Sequence, residues 1–330
     1  MIKDAATKEL LYQTLAVLYK HAEQLVVLEY PKSIERRSVD LVVKLRNGKK
    51  LLVKVAYDAD ALPKSEIQEL HNLSSVLEVP AVMVSVYRSG TPLIDGVAYE
   101  RGGVKIVTPE TLNNILTGKE QIYIYEGKDC FKLSIDGRKL KEKRLEKNMS
   151  LGDLALLVGV SRRAIYEYEK GNMEPSIEKG EKLIKVLGED IVKPVNIFKP
   201  VKKQPRTSSL MFDTETEQRI ANTLISKGYS VAHAKRTVVD LTARKGSEDK
   251  ITVLVEHPRE SSQRILEKIY YLNRMADTVD VKERYVIVEK KKVARELRKE
   301  GILAYNSWEF MRMVAEGGQQ KKERDDENEA

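Results

Sequence analysis

The chain has 330 residues, more than one ordinary domain holds, so two or three domains are expected. With 42% hydrophobic residues it can fill globular cores, while 33% charged residues give its elements well-solvated outer faces, a composition that heat-adapted proteins share. The net charge of +8 favours an anionic partner, nucleic acid first, although a basic balance also serves plain solubility. The single cysteine, Cys130, excludes an intrachain disulfide and a cysteine-based zinc site, and His21, His71, His233 and His257 show no metal-ligand spacing.

In chain order, MIKDAATKELLYQ opens as a charged amphipathic helix rather than a signal peptide. Residues 4–28 read as one helix, with Leu10, Leu11, Leu15, Val17 and Leu18 near helical spacing. Strands follow at 38–45 and 51–57, joined by Arg46-Asn47-Gly48-Lys49, a strong hairpin signal. A helix over 64–77, a buried strand over 81–87 and a strand-helix over 104–116 complete an α/β unit, residues 1–118. Residues 119–135 predict a β-hairpin connector, IYIY and CFKLSI around a turn at Glu126-Gly127-Lys128-Asp129. Its Tyr123 and Tyr125 either pack within their own domain or offer a dimer contact. Helical periodicity covers 136–188. The stretch 189–212, with Pro194, Pro200, Pro205, Lys199, Lys202, Lys203 and Arg206, reads as an extended basic linker.

After the linker the first pattern returns over 213–317, in the order helix-strand-strand-helix-strand-strand-helix. SVDLVVK pairs with TVVDLTARK, LLVKVA with VLVEHP, AVMVSV with RYVIVE, and VKIVTPETLNNIL with ILAYNSWEFMRMV. The expectation is an internal duplication flanking a central helical domain, the alternative being chance likeness between two α/β units. Residues 318–330 are charged and apolar-poor, and disorder is expected there. No apolar run approaches the roughly 18 residues a membrane span needs, and a cytosolic protein is expected.

In the central domain, a first helix over 137–147 carries Leu140, Arg144 and Leu145. Ser150 suits the N-cap of a short helix holding Leu151, Leu154, Ala155 and Val158. Gly159 stands where a tight turn needs positive φ. Ser161 caps the next helix, which turns Ala164, Ile165 and Tyr168 inward, and Gly171 ends it. Pro175-Ser176 opens a fourth helix with Ile177, Leu183, Ile184 and Leu187 inside.

This stretch of about fifty residues, with its SLxxLAxxVGVS, AIYEYEKG and EPS segments, resembles the helix-turn-helix of the lambda Cro and phage-repressor family, also called the xenobiotic-response-element type. The resemblance implies that the helix begun at Ser161 (residues 161–170) lies in the major groove of double-stranded DNA, with Ser161, Arg162, Arg163, Tyr166 and Glu167 at base edges. Arginine forks onto guanine and glutamate accepts from cytosine, each good pair giving about 1–3 kcal/mol of discrimination. Arg162 and Arg163 are equally suited to phosphate. Lys139, Lys143, Lys147 and Ser150 are candidates for the DNA backbone. Arg144 and Glu169 fall where the resemblance implies a partly buried ion pair tying the first helix to the recognition helix, and the family implies a two-fold homodimer.

Each flanking unit resembles the restriction-endonuclease-like PD-(D/E)xK nucleases, such as archaeal Holliday junction resolvases. There a carboxylate precedes a strand bearing Glu-x-Lys, the acids hold Mg²⁺ and the lysine serves a water. In the first unit Asp40 is present, with Lys54 and Ala56 at the Glu and Lys positions. In the second, Asp240 and Glu256 remain as a vestigial metal pair, Pro258 replaces the lysine, and Glu217 is a third acid. Asp240 and Glu256 read equally as polar residues at a sheet edge.

The fold class expected is α/β plus all-α: a four- to five-helix HTH domain between two similar restriction-endonuclease-like domains. The whole order resembles archaeal HTH-type transcriptional regulatory proteins. The function expected is a sequence-specific transcriptional regulator, with no catalytic residue, resident metal or cofactor and no effector assigned. The alternatives are a Mg²⁺-dependent structure-selective or restriction-type nuclease targeted by the HTH, and an antitoxin or defence-system regulator that binds a protein partner through its flanks.

Overall fold

The computed structural model describes residues 2–127, 130–200, 211–257 and 260–316. The predicted turn residues Lys128 and Asp129, Pro258, and the tail expected over 318–330 lie outside them.

The first unit runs α1 (Ile2–Tyr19), β1 (Ala22–Val27), β2 (Leu41–Leu45), β3 (Lys50–Val55), α2 (Lys64–Leu77), β4 (Ala81–Val84), a small hairpin of β5 (Tyr87–Arg88) and β6 (Thr91–Pro92), β7 (Val97–Arg101), β8 (Val104–Val107) and α3 (Pro109–Thr117). The helix expected over 4–28 therefore stops at Tyr19. Its last third is β1, whose Leu25-Val26-Val27 run pairs antiparallel with β2. Alternation cannot be told from helical spacing in a stretch this short. The strand expected over 81–87 likewise ends at Val84. The β2–β3 turn is the one its Asn-Gly announces: Gly48 has φ +79° and the Asn47 side chain accepts from the Lys49 N–H at 3.1 Å.

The expected connector hairpin, β9 (Ile124–Glu126) and β10 (Phe131–Leu133), is not free-standing. β9 pairs parallel with β7 and extends one sheet to eight strands, ordered β1-β2-β3-β4-β8-β7-β9-β10. Tyr125 is half-buried against the core beneath it, whereas Tyr123 stays 39% exposed. Four helices follow: α4 (Gly137–Glu146), α5 (Leu151–Val158), α6 (Arg162–Lys170) and α7 (Ile177–Leu187). Their core joins Leu140, Leu154, Val158, Ile165, Leu183 and Leu187.

The predicted linker is docked over its first part. The Lys193 N–H donates to Ser134 O at 3.1 Å and the Val195 N–H to Ile122 O at 2.7 Å, and Ile197 is 2% exposed in the first unit's core. Apolar residues between the prolines tie it down where composition alone suggested a tether; residues 201–210 lie outside the described set.

The second unit comprises α8 (Glu215–Ser226), β11 (Ser230–His233), β12 (Leu241–Lys245), β13 (Asp249–Val255), α9 (Ser262–Thr278), β14 (Glu283–Ile287), α10 (Lys291–Lys299), β15 (Ala304–Tyr305) and α11 (Ser307–Ala315). Its sheet, β11-β12-β13-β14-β15, repeats β1-β2-β3-β4-β8 in order and direction: two antiparallel pairings, then two parallel ones. Thr108 and Asn306 cap the equivalent last helices, α3 and α11.

The two units share one core. A continuous apolar cluster runs from Val42, Leu52, Leu70 and Met83 to Ile269, Leu272, Met275 and Val286. In it α2 packs on β11 and β12 of the other unit, and α9 on β1 and β2. The outer faces of the sheets are covered separately, by α1 and α3 on one side and by α8 and α11 on the other. The seam is reciprocal. Glu78, capping α2, lies 3.9 Å from Lys250 of β13, while Asp280, near the end of α9, pairs with Lys50 of β3. Such exchange is what a two-fold axis imposes on an isologous contact.

Candidate nucleic-acid interface and the two nuclease-like sites

The HTH is built from caps and one close approach. Ser150 and Asp153 form a capping box at the start of α5, and the Ser161 Oγ accepts from the Ala164 N–H at 3.1 Å to start α6. Gly159 takes φ +74° between them, and its N–H closes on Ala155 O at 2.9 Å. Sequence reasoning passed over Gly137. A Cβ there would run into the Tyr168 carbonyl and stand 2.5 Å from that of Glu169, so only glycine lets α4 begin against α6. The Arg144 guanidinium meets Glu169 twice, Nε to Oε1 at 2.6 Å and Nη2 to Oε2 at 3.1 Å, and donates a third time to Met149 O at 2.7 Å. Both side chains are under a tenth exposed, so a buried fork ties α6 to α4.

Ile165 and Tyr168 hold α6 in the core, which leaves Ser161, Arg162, Arg163 and Tyr166 exposed along the opposite face. They are not equivalent. The Arg162 guanidinium folds back over α5, where a Cβ on Gly152 would sit 2.8 Å from its Nε; the Asp153 carboxyl is held below the usual range by its hydrogen bonds with Ser150 first, and by the Arg162 charge to a lesser degree. Arg163 has no ion-pair partner among the described residues. Glu167, half-buried, accepts from Asn172 Nδ2 at 2.8 Å. Lys139 and Lys147 are exposed and unpaired among the described residues; Lys143 is engaged by Glu146 at 3.0 Å, and the Ser150 hydroxyl by its own cap.

Asp40 and Asp240 anchor the flanking sites identically. Each Oδ2 accepts at 2.7 Å from the N–H fifteen residues on, Val55 in one copy and Val255 in the other. Through β3 and β13, Lys54 is thus equivalent to Leu254, Ala56 to Glu256 and Tyr57 to His257. The sequence pairing of LLVKVA with VLVEHP was two residues out, a slip that keeps every side chain on its face and so leaves no trace in the apolar pattern. The buried rows Thr7, Leu10, Leu11, Thr14 and Glu217, Ile220, Ala221, Leu224 make Thr7 the counterpart of Glu217. Matching helix ends (Val79 N–H to Ser74 O, Val281 N–H to Ala276 O) pair Glu66 with Lys268.

In the first copy the Lys54 ammonium sits 3.2 Å from Asp40 Oδ2 and donates to Ile34 O, with both side chains fully buried. Burial raises the Asp40 pKa against the pull of that lysine. With Thr7 in place of an acid and a lysine on the aspartate, these residues do not fit a metal.

In the second copy Glu217, Asp240 and His257 bring their ligand atoms within 4.8 Å of one another, as do Asp213, Glu217 and His233. Glu217 Oε1 is buried without a hydrogen-bond partner, so this donor set does fit a divalent cation. Glu256, expected beside Asp240, belongs to neither cluster; its Oε2 accepts from the Glu289 N–H at 2.8 Å and ties β13 to the end of β14. His257, which no sequence spacing flagged, takes its place, with Nε2 3.3 Å from Asp240 Oδ1. That hydrogen bond raises the His257 pKa against burial, and burial raises that of Asp240 against His257 and Lys268. Burial also works to raise the Glu217 pKa, but the His233 ring and the Asp213 N–H outweigh it and the net direction is down.

A helix-turn-helix family profile matches residues 140–193, and that of the PD-(D/E)XK superfamily domain matches 7–122. Fold and site together define a DNA-binding regulatory protein that carries a nuclease-type domain. Over 326 residues the chain is 38% identical to an HTH-type transcriptional regulatory protein of Aeropyrum pernix, covering 96% of this chain and 97% of the relative. Proteins of the same description from Pyrococcus furiosus (30% identity; 73% of this chain, 76% of theirs) and Methanocaldococcus jannaschii (26%; 81% and 83%) are also similar. The chain belongs to this archaeal family of HTH-type transcriptional regulatory proteins. Among the described residues, no helix is long and apolar enough to cross a membrane.

Proposed function

We propose that the protein is a sequence-specific regulator that sets α6 into the major groove of double-stranded DNA and acts as a homodimer. The observation that carries this reading is the exposed first turn of α6, with Arg163 unpaired, on a helix that the buried Arg144–Glu169 fork ties to α4. Arg163 is the leading base reader, with Tyr166 beside it and Glu167 behind. Arg162, drawn over α5, suits a phosphate, as do Lys139 and Lys147. One HTH per chain reads one half-site, so a near-palindrome requires two chains. Selection of bound fragments from random duplexes tests this: two-fold sites with half-sites about 10 base pairs apart are expected, and symmetric sites absent from the selected pool would refute the homodimer.

The second unit adds a cationic surface of its own. Lys290 at the N-cap and Lys291, Lys292, Arg295 and Lys299 along α10 lie exposed without an acidic partner among the described residues, suited to phosphate contacts outside the half-site.

A second reading, a nuclease confined to the second copy, is favoured by one arrangement: Glu217, Asp240 and His257 clustered, with the Lys268 charge acting on Asp240. A divalent cation held there would supply charge for a phosphodiester and an activated water. Lys268 is 1% exposed and bound to Glu260 at 2.9 Å, which keeps it from a substrate. Mg²⁺- or Mn²⁺-dependent cleavage of duplex or branched DNA, abolished by Asp240→Ala, would establish this activity.

A further inference from the structure

Where the second copy gathers charge, the first has a cavity. It opens beyond the end of β3 with a volume of about 750 Å³, within the range of small-molecule sites, and its lining includes Thr7, Ala56, Tyr57, Leu62, Glu66 and Tyr87. Three of these are the counterparts of Glu217, Glu256 and His257: a threonine, an alanine and a tyrosine stand where the second copy has two acids and an imidazole, and the wall is largely apolar. The rings of Tyr57 and Tyr87 lie 5.0 Å apart at 35°, forming an aromatic side.

Glu66 gives the cavity a sign. It is 4% exposed, its Oε2 has no hydrogen-bond partner, and its Oε1 is 3.7 Å from Arg236 Nε of the second unit. A buried carboxylate oxygen left unpaired costs free energy that a ligand donor would offset. Glu35 and Asp58 add two more acids to the wall, against Arg36 alone. Asp58 is already held by the N–H groups of Asp60, Ser89 and Gly90, which fixes the β5–β6 side of the opening.

We propose that the first nuclease-like unit is a receptor for a small aromatic cation, an amidinium or ammonium on a planar ring, with the ring against Tyr57 and Tyr87 and the cationic head on Glu66. Aromatic faces and a carboxylate together select such a molecule over a neutral ring of the same size. Because Glu66 also faces Arg236, occupancy acts on the seam between the two units. The inference stands independently of how α6 reads DNA.

The test uses the full chain with benzamidine as probe and toluene as its neutral counterpart, by titration calorimetry and by the rise in melting temperature on binding. Saturable one-to-one binding of benzamidine is expected, weakened about tenfold or more by Glu66→Gln, which removes a charge-assisted bond while keeping shape. Tyr87→Ala should weaken it separately by removing the aromatic side, and toluene should bind less well than benzamidine. No benzamidine binding at up to about 10 mM would overturn the proposal. So would equal binding of toluene, or benzamidine affinity unchanged in both variants. Melting curves of the free variants that match the parent show that any loss of affinity is local.

Discussion

Gly137 and Arg144 carry the HTH at the level of single residues. Gly137→Ala pushes a methyl group into the backbone of α6 and is expected to cost about 1–3 kcal/mol, read by chemical denaturation. Arg144→Ala strands the Glu169 carboxylate, under a tenth exposed, and should cost about 3–5 kcal/mol. The conservative Arg144→Lys cannot fork and should recover only part of that. The roles proposed for the two arginines of α6 make separate predictions: Arg163→Ala should lower affinity for the selected site about tenfold or more and relax one base position. Arg162→Ala should weaken specific and non-specific duplexes alike. The reverse pattern would exchange their roles. Gly159 and the Arg144–Glu169 pair were legible in the sequence because turn chemistry and a family spacing mark them. Gly137 was not, because its constraint comes from a helix met only in three dimensions.

At the level of elements, β13 and α8 deliver the second copy's charged cluster, and its titration has a defined sign. The hydrogen bond that His257 donates to Asp240 raises the His257 pKa in the folded chain above its ordinary value of 6.5. The proton is thus bound more tightly when folded. The stabilisation it gives is full below about 6.5 and is lost as pH climbs through the raised folded value. Stability should therefore fall over that interval, and His257→Gln should flatten the fall; a parent and variant with parallel pH profiles would contradict the assignment. A divalent cation competes with the same proton, so Mn²⁺ should raise the melting temperature more at high pH than at low. The helices and hairpins here were readable from caps and the Asn-Gly turn. β1 was absorbed into a helix because six residues after an amphipathic run carry too few periods to reveal the switch.

On the scale of the whole molecule, the duplication is also a packing device. With α2 and α9 lying between the two sheets, one apolar cluster serves both copies, and neither can unfold without exposing the other's face. The two nuclease-like units are expected to melt in a single calorimetric transition, whereas two resolved transitions for them would show that the shared core does not couple them. Arg236 closes the seam, with Nη1 on Glu69 at 2.7 Å and its carbonyl accepting from the Ser38 N–H at 2.9 Å. Glu69→Ala should lower that shared transition and leave the affinity for duplex DNA unchanged. DNA affinity should also fall steeply with salt, and less steeply once Lys291, Lys292 and Arg295 of α10 are made neutral.

The sequence by itself determined the kinds of domain, their order, the helix caps, the helix that faces outward and the existence of the repeat, because these follow from local turn chemistry and from periods that repeat along the chain. Only the tertiary structure decided the true register of the two copies, the replacement of Glu256 by His257 beside Asp240, the docking of the presumed linker and the cavity in the first copy. The reason is physical. A two-residue slip along a strand preserves every inward and outward assignment, so the apolar pattern is blind to it, and which charge meets which carboxylate is settled only when distant strands and helices close on one another.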